Sequence, residues 1–197
     1  MLDSWLEASP RLRAMQSRAA AILYRAGVRA DYATAAGGLL GVLSGLAFAW
    51  GHNAAGLAAL WLSALLDAVD GTIARDFEGS TALGGVLDLS LDRVVEAAVL
   101  LGIVWHRPFL DFAAASVLAS WYVNITVFLA VGAALGAGAK LIRYPPGLVE
   151  RTEAFVLFTL LVFLGPAGVY LCYAYAAAEI LTALQRLAFA RRELRQT

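Results

Sequence analysis

Charge is scarce in this chain. Asp, Glu, Lys and Arg make up only 15% of its 197 residues, 61% are hydrophobic, and the mean hydropathy is +0.72. A soluble domain carries about 25% charged residues, so this composition excludes that class and marks an integral membrane protein. Acids and bases also cancel to a formal net charge of zero, which leaves no overall field to draw nucleic acid, and none is expected as a partner. Cysteine is nearly absent: Cys172 stands alone in an apolar segment, which rules out an internal disulfide and leaves packing as its role. The two histidines, His52 and His106, fall away from the acidic residues considered below and read as interfacial rather than as ligands or catalysts. No cleaved leader is expected. The opening MLDSWLEASPRLR has acids and a proline where a basic head and apolar core are needed, so insertion is expected to rely on the first true span.

Long apolar runs are abundant. At roughly 20 residues per crossing, there are six spans, at about 33–51, 54–75, 82–105, 109–135, 150–165 and 167–190, the fifth being the shortest. Punctuating residues fall where spans should end: GHN at 51–53, His106-Arg107-Pro108, Tyr144-Pro145-Pro146-Gly147 and Gly165-Pro166. The expected fold class is therefore all-α, a polytopic membrane protein of six transmembrane helices, with no internal repeat. Ahead of the spans, residues 1–30 set Trp5, Leu6, Met15, Ile22 and Leu23 among Arg11, Arg13, Arg18, Arg25 and Arg29. Such a segment is too polar to span. It suits an amphipathic juxtamembrane helix on an anionic leaflet, or alternatively a helix packed on other helices. The organisation is thus residues 1–30 followed by a six-span domain over 31–197.

Orientation follows from the bases. With both termini inside, thirteen of the fifteen Lys and Arg face the cytoplasm, Arg107 lies outside and Arg93 sits within a span. Trp50, His52, Trp105 and His106 then gather at the outer surface, where amphipathic rings anchor.

Four carboxylates inside apolar spans need a reason. Asp67 and Asp70 stand three apart and Asp88 and Asp92 four apart, so each pair shares one face of its own helix. Counting roughly 1.5 Å per residue, the first pair lies roughly 7–12 Å inward of Arg75 and the second roughly 9–15 Å inward of Ala82. The two pairs reach similar depth. Acids converging at low dielectric repel unless cations neutralise them, and an all-oxygen donor set suits Mg2+ or Mn2+, here read as two ions in a site open to the cytoplasm. The alternative is a divalent-cation pathway in a transporter. It would need polar residues leading outward, whereas the outer halves of the spans are almost wholly apolar around Trp50, Trp61 and Trp105.

These residues resemble the CDP-alcohol phosphatidyltransferases. That family's spacing, DxxDGxxAR, eight residues, G, three residues, D, three residues, D, is filled by Asp67, Asp70, Gly71, Ala74, Arg75, Gly84, Asp88 and Asp92 without departure. Asp31-Tyr32-Ala33-Thr34 resembles the family's Asn/Asp-x-x-Thr at the first span, and Glu150-Arg151 the start of its fifth. The resemblance implies an enzyme that transfers the phosphatidyl group of a CDP-linked lipid, usually CDP-diacylglycerol, to the hydroxyl of an acceptor alcohol and releases CMP. It implies metal ligation by Asp67, Asp70 and Asp88 with Asp92 reaching one ion, and Asp92 as the general base. Nucleotide or phosphate contacts would fall to Asp31, Thr34, Gly71, Arg75 and Thr81. A homodimer among the lipids of a bacterial inner membrane is further implied.

Other readings attach to single residues. Gly71, Ala74 and Gly84 would by themselves suggest close helix packing, and Arg93 with Glu96, three apart, a structural ion pair. Asn124 and Thr126 suit interhelical hydrogen bonds or an acceptor contact, and Lys140, Arg143 and Arg151 an acceptor phosphate or lipid headgroups. Members of the family that use inositol phosphate carry a basic residue after a Ser-Tyr pair in the fourth span and a second arginine after the Glu-Arg. The matching text is Ser120-Trp121-Tyr122-Val123-Asn124-Ile125 and Glu150-Arg151-Thr152-Glu153-Ala154. Both basic positions are missing, which disfavours inositol phosphate and leaves other alcohols open.

Overall fold

The computed structural model describes residues 9–136, 149 and 151–195, and among these it is all-helical, with seven α-helices and no strand. The chain divides into two compact units between Pro108 and Phe109. The first holds α1 (Pro10–Arg25), α2 (Ala30–Ala49), α3 (Asn53–Ile73) with a π-helical turn over Ala74–Glu78, and α4 (Ala82–Trp105). The second holds α5 (Asp111–Gly136), α6 (Arg151–Phe163) and α7 (Gly168–Glu193).

Helix α2 is the pillar of the first unit because it is thin on two sides. Gly37 faces α3 at Leu66 and Ser63, and the Ser63 hydroxyl donates to the Gly37 carbonyl at 2.7 Å. Ser44 donates likewise to Gly56 at 2.8 Å. On the other side, Gly41 takes Val95 of α4, and a Cβ at Gly45 or Gly102 would overlap the backbone of the opposite helix. Small residues let helices approach to backbone contact, the packing that replaces hydrophobic collapse in lipid. The α2–α3 link is equally tight: Gly51, at φ 78°, permits the left-handed turn in which the N–H groups of Gly51 and His52 bond to Phe48 and Ala47. That end of the unit also holds exposed Trp50 and Trp105, His106 against Gly51, and an Arg107 bond to Asn53 at 3.1 Å. The grouping of Trp50, Trp105 and His106 read from the sequence is therefore present, far along α3 and α4 from the acids.

Helix α1 opens on Pro10, whose fixed φ and missing N–H suit a first turn. Its Ala19, Ala20 and Leu23 pack against Ala30, Val69, Ile73 and Ala74. In the second unit, Trp121 of α5 donates to the Tyr175 hydroxyl at 3.2 Å and meets Phe158 edge-on. Cys172 is fully buried, as packing requires.

Large apolar side chains face outward in both units, among them Leu39, Trp61 and Leu65 in the first and Phe112, Phe163 and Tyr170 in the second. Lipid is the solvent that such a surface fits, and this is an integral membrane protein. Among the described residues, four stretches are long and apolar enough to cross by length and composition: Ala30–Ala49, Asn53–Glu78, Pro108–Leu135 and Gly165–Glu193. Six were expected, and the shortfall has two causes. Helix α4 has 24 residues but carries Asp88, Asp92, Arg93 and Glu96, and α6 has 13 residues, about 20 Å of helix against roughly 30 Å of hydrocarbon.

The α2–α4 contact yields a stability prediction. Gly102→Val should cost at least the roughly 1–3 kcal/mol typical of overpacking, lowering the unfolding midpoint in a denaturing-detergent titration. Gly85→Ala, at a helical position where a Cβ meets nothing within 4 Å, should not lower that midpoint and should raise it slightly through the better helix propensity of Ala.

Candidate metal and nucleotide site

Because α3 and α4 both pack on α2, their acid-bearing ends meet. Asp67, Asp70 and Asp88 each offer a carboxylate oxygen, and the three oxygens lie within 4.8 Å of one another. At that separation each pair of charges repels by roughly 3 kcal/mol even at an effective dielectric near 20. Asp70 is 5% exposed, and its Oδ2 is buried without a hydrogen-bond partner. A buried, unpartnered carboxylate oxygen among two more carboxylates is a donor set that a hard divalent cation fits, and Mg2+ or Mn2+ suits it by chemistry. Asp92, one turn beyond Asp88 on α4, is half-buried and stands outside this trio.

Beside the acids lies a cavity of about 340 Å3. Its walls include Asp31, Thr34, Gly71, Arg75 and Thr81, the five residues expected to contact nucleotide, together with Asp70 and Asp88. Gly71 and Gly84 have no other helix's backbone against them: a Cβ at Gly71 would meet only the Arg75 guanidinium, and one at Gly84 only the side chains of Thr81 and, from α2, Asp31. They open the cavity rather than pack helices. Thr81 caps α4, its hydroxyl oxygen accepting the Gly84 N–H at 3.0 Å, which aims the positive end of that helix at the cavity.

Several wall residues escaped sequence reasoning, including Arg29, Glu78, Ser80 and Gly85. Glu78 holds the wall together: its Oε2 accepts the Ala30 N–H at 3.1 Å, and its Oε1 pairs with Arg29 Nε at 3.3 Å. Tyr24 stacks on Phe77 at 4.9 Å beside it. The π turn delivers both Phe77 and Glu78, and Gly79, at φ 84°, then reverses the chain toward α4. A wide turn leaves no periodic signal in the sequence.

Other singled-out residues have structural partners. Arg93 and Glu96 form a two-pronged pair at 2.8 and 2.9 Å. Asn124 donates to Glu179 of α7 and accepts from Arg186 at 2.7 Å, an interhelical network, while Thr126 donates to Tyr122 of its own helix. Arg151 lies over the Phe155 ring at 5.5 Å. Lys140, Arg143 and Glu150 lie outside the described residues.

The family profile described as CDP-alcohol phosphatidyltransferase matches residues 28–191, a range that contains every acid of the cluster and every expected cavity residue. The chain belongs to that family. As a CDP-alcohol phosphatidyltransferase it is an enzyme, and the transporter reading falls away. A phosphatidylinositol phosphate synthase of Mycobacteroides abscessus is 34% identical over 175 residues, covering 85% of this chain and 80% of that protein. The inner membrane protein YnjF of Escherichia coli is 33% identical over 169 residues, covering 81% of each. Among solved structures, the phosphatidylinositol phosphate synthase of Mycobacterium tuberculosis with CDP-DAG bound superposes with a TM-score of 0.72 at 28% identity, covering 89% of this chain and 92% of the other. The same synthase in complex with manganese and citrate matches at 0.72 and 28%, over 89% and 88%.

The acid cluster predicts a metal requirement measurable without turnover. The purified protein should bind Mn2+, read as loss of the free-ion resonance signal. Asp70→Asn should weaken that binding by at least the roughly 10- to 100-fold that loss of a mere outer-shell partner costs. Equal Mn2+ binding by the variant would remove Asp70 from the ligand set.

Proposed function

We propose that the protein transfers the phosphatidyl group of CDP-diacylglycerol to the hydroxyl of an acceptor alcohol, releasing CMP, at the cytoplasmic face of a bacterial inner membrane. The observation that carries this reading is the juxtaposition of three mutually close carboxylates with a glycine-walled cavity that Arg75 also lines. The Mycobacterium tuberculosis relative with CDP-DAG bound supports the donor.

Asp67, Asp70 and Asp88 would hold two divalent cations, with Asp92 reaching one of them. Bound there, the cations would neutralise the pyrophosphate and the charge that develops on the departing CMP. Gly71 and Gly84 leave the backbone open to the nucleotide, and the Arg75 fork suits a phosphate. Asp31, Thr34 and Thr81 supply hydrogen bonds along the same wall. The acceptor oxygen attacks the phosphatidyl phosphorus, the bridging P–O bond breaks, CMP leaves with the electron pair, and Asp92 takes the acceptor proton. The placement of Asp92 one turn deeper than Asp88 supports its separate role. Six crossings remain the reading of the topology, α4 shielding its charges against α2 and α3, and α1 resting at the inner leaflet. The acceptor stays open among alcohols, with inositol phosphate disfavoured because the basic residues expected in the fourth span and after Glu150-Arg151 are missing from the sequence.

The test is to incubate the purified protein with CDP-diacylglycerol, Mg2+ and a panel of alcohols that includes inositol phosphate, and identify the lipid product by mass. Release of CMP unaltered by a chelator would end the metal-dependent reading. Asp92→Asn should keep most of the affinity for CDP-lipid while turnover falls by roughly 100-fold or more. A variant that turns over at the unmodified rate, or that loses nucleotide affinity outright, overturns the assignment of Asp92 as base. The homodimer that the resemblance implies should appear as crosslinked pairs in native membranes, and a strictly monomeric, active protein would exclude it.

A further inference from the structure

A second polar cavity, of about 350 Å3, lies between α1 and the end of α3, lined by Arg13, Gln16, Ser17, Thr72, Arg75 and Asp76. Its origin is legible in the helix faces. On α1, residues 13, 16, 17, 20 and 23 share one face; where that face is apolar, at Ala20 and Leu23, it closes on Val69 and Ile73. One and two turns earlier the same face turns polar. The cavity opens there, opposite Thr72, Arg75 and Asp76, which share a face of α3 and its π turn. The wall is held from within, since the buried Thr72 hydroxyl donates to Ala68 at 2.9 Å and accepts from Arg75 Nη2 at 3.4 Å. Arg75 lines the nucleotide cavity as well.

We propose that this cavity binds a phosphate group bearing at least one hydroxyl, and that its occupant opposes nucleotide binding through Arg75. Two guanidiniums from opposing walls suit a phosphate, and Gln16, Ser17 and Thr72 add neutral hydrogen bonds. Asp76 makes the site selective. A carboxylate facing the anion accepts a hydrogen bond from an O–H, so it tolerates monohydrogen phosphate or a polyol phosphodiester and repels an anion with no proton to give. The ligand's chemistry is shared by free phosphate and by the headgroup of an anionic lipid such as phosphatidylglycerol. Met15 and Ile22 stand 66% and 68% exposed on α1, an apolar surface that places the helix beside lipid. Because one guanidinium serves both cavities, each ligand weakens the other by the same factor. The coupling rests on the neighbouring cavity being the CDP site, whereas binding of phosphate itself does not.

The experiment uses the full chain in phosphatidylcholine nanodiscs with Mg2+. Phosphate binding is read from 31P relaxation without nucleotide, and CDP affinity by calorimetry under three additions: inorganic phosphate, sulfate at equal ionic strength, or phosphatidylglycerol in the disc. Phosphate should bind and raise the CDP dissociation constant by roughly fivefold, sulfate should do neither, and both effects should vanish in Arg13→Gln and Ser17→Asp. Those two variants should still bind CDP in plain discs. An effect of phosphatidylglycerol alone identifies the lipid headgroup as the source, and an effect of phosphate alone the free anion. No response in either arm, an equal response to sulfate, or a response that persists in both variants overturns the proposal. Failure of CDP to bind in any arm would overturn the proposed function instead and leave the relaxation readout to judge the site.

Discussion

Two helix backbones in direct contact, Gly45 of α2 against Gly102 of α4, set the spacing at which the other parts of the first unit meet. Lipid gives apolar side chains no reason to leave it, so helices in a membrane are held by close packing and by bonds between backbones and small polar side chains. Gly37, Gly41, Ser44 and Ser63 supply both. With α2 kept that thin, α3 and α4 stand near enough for carboxylates on their far turns to share one small volume. The scaffold thus does the work of holding three like charges together, and a divalent cation would return part of that cost as binding.

Cavity wall and scaffold also meet in single residues. Thr81 ends a loop, caps α4 and faces the cavity, and Glu78 closes the first turn of α2 while forming the opposite rim. Neither can be changed for one purpose alone. Such double use places the cavity on helix ends rather than on free loops, which keeps its groups in fixed orientation at little entropic expense.

Much of the site was legible because it is written in spacing. Asp67, Asp70, Asp88 and Asp92 stand out against apolar neighbours, and intervals of three and four put each pair on one helical face without reference to any fold. Asp31, Thr34, Gly71, Arg75 and Thr81 became legible only through the family pattern, and all five line the cavity. What remained hidden depends on contacts between segments distant in sequence. Glu78 reads as an ordinary surface acid until the backbone of Ala30 is placed beside it, and Glu179 and Arg186 read as stray charges until Asn124 joins them. Helix count depends on a different quantity. Apolar length alone judges a helix as though it met lipid on every side, and α4 does not.

The paired Arg93 and Glu96 have a consequence for biogenesis. Each Asp, Lys or Arg at the middle of a lone helix adds about 2.5–3.5 kcal/mol against insertion, and α4 carries Asp88, Asp92 and Arg93 with Glu96 besides. The Arg93–Glu96 clasp removes only part of that burden, and it can form as soon as one helical turn exists. Asp88, for its part, has Asp67 and Asp70 of α3 close by. On the proposed six-span topology, helix α4 would not partition sideways from the translocon by itself. It would leave with the preceding hairpin as the third member of a bundle, so that assembly of the first unit would be part of its membrane insertion.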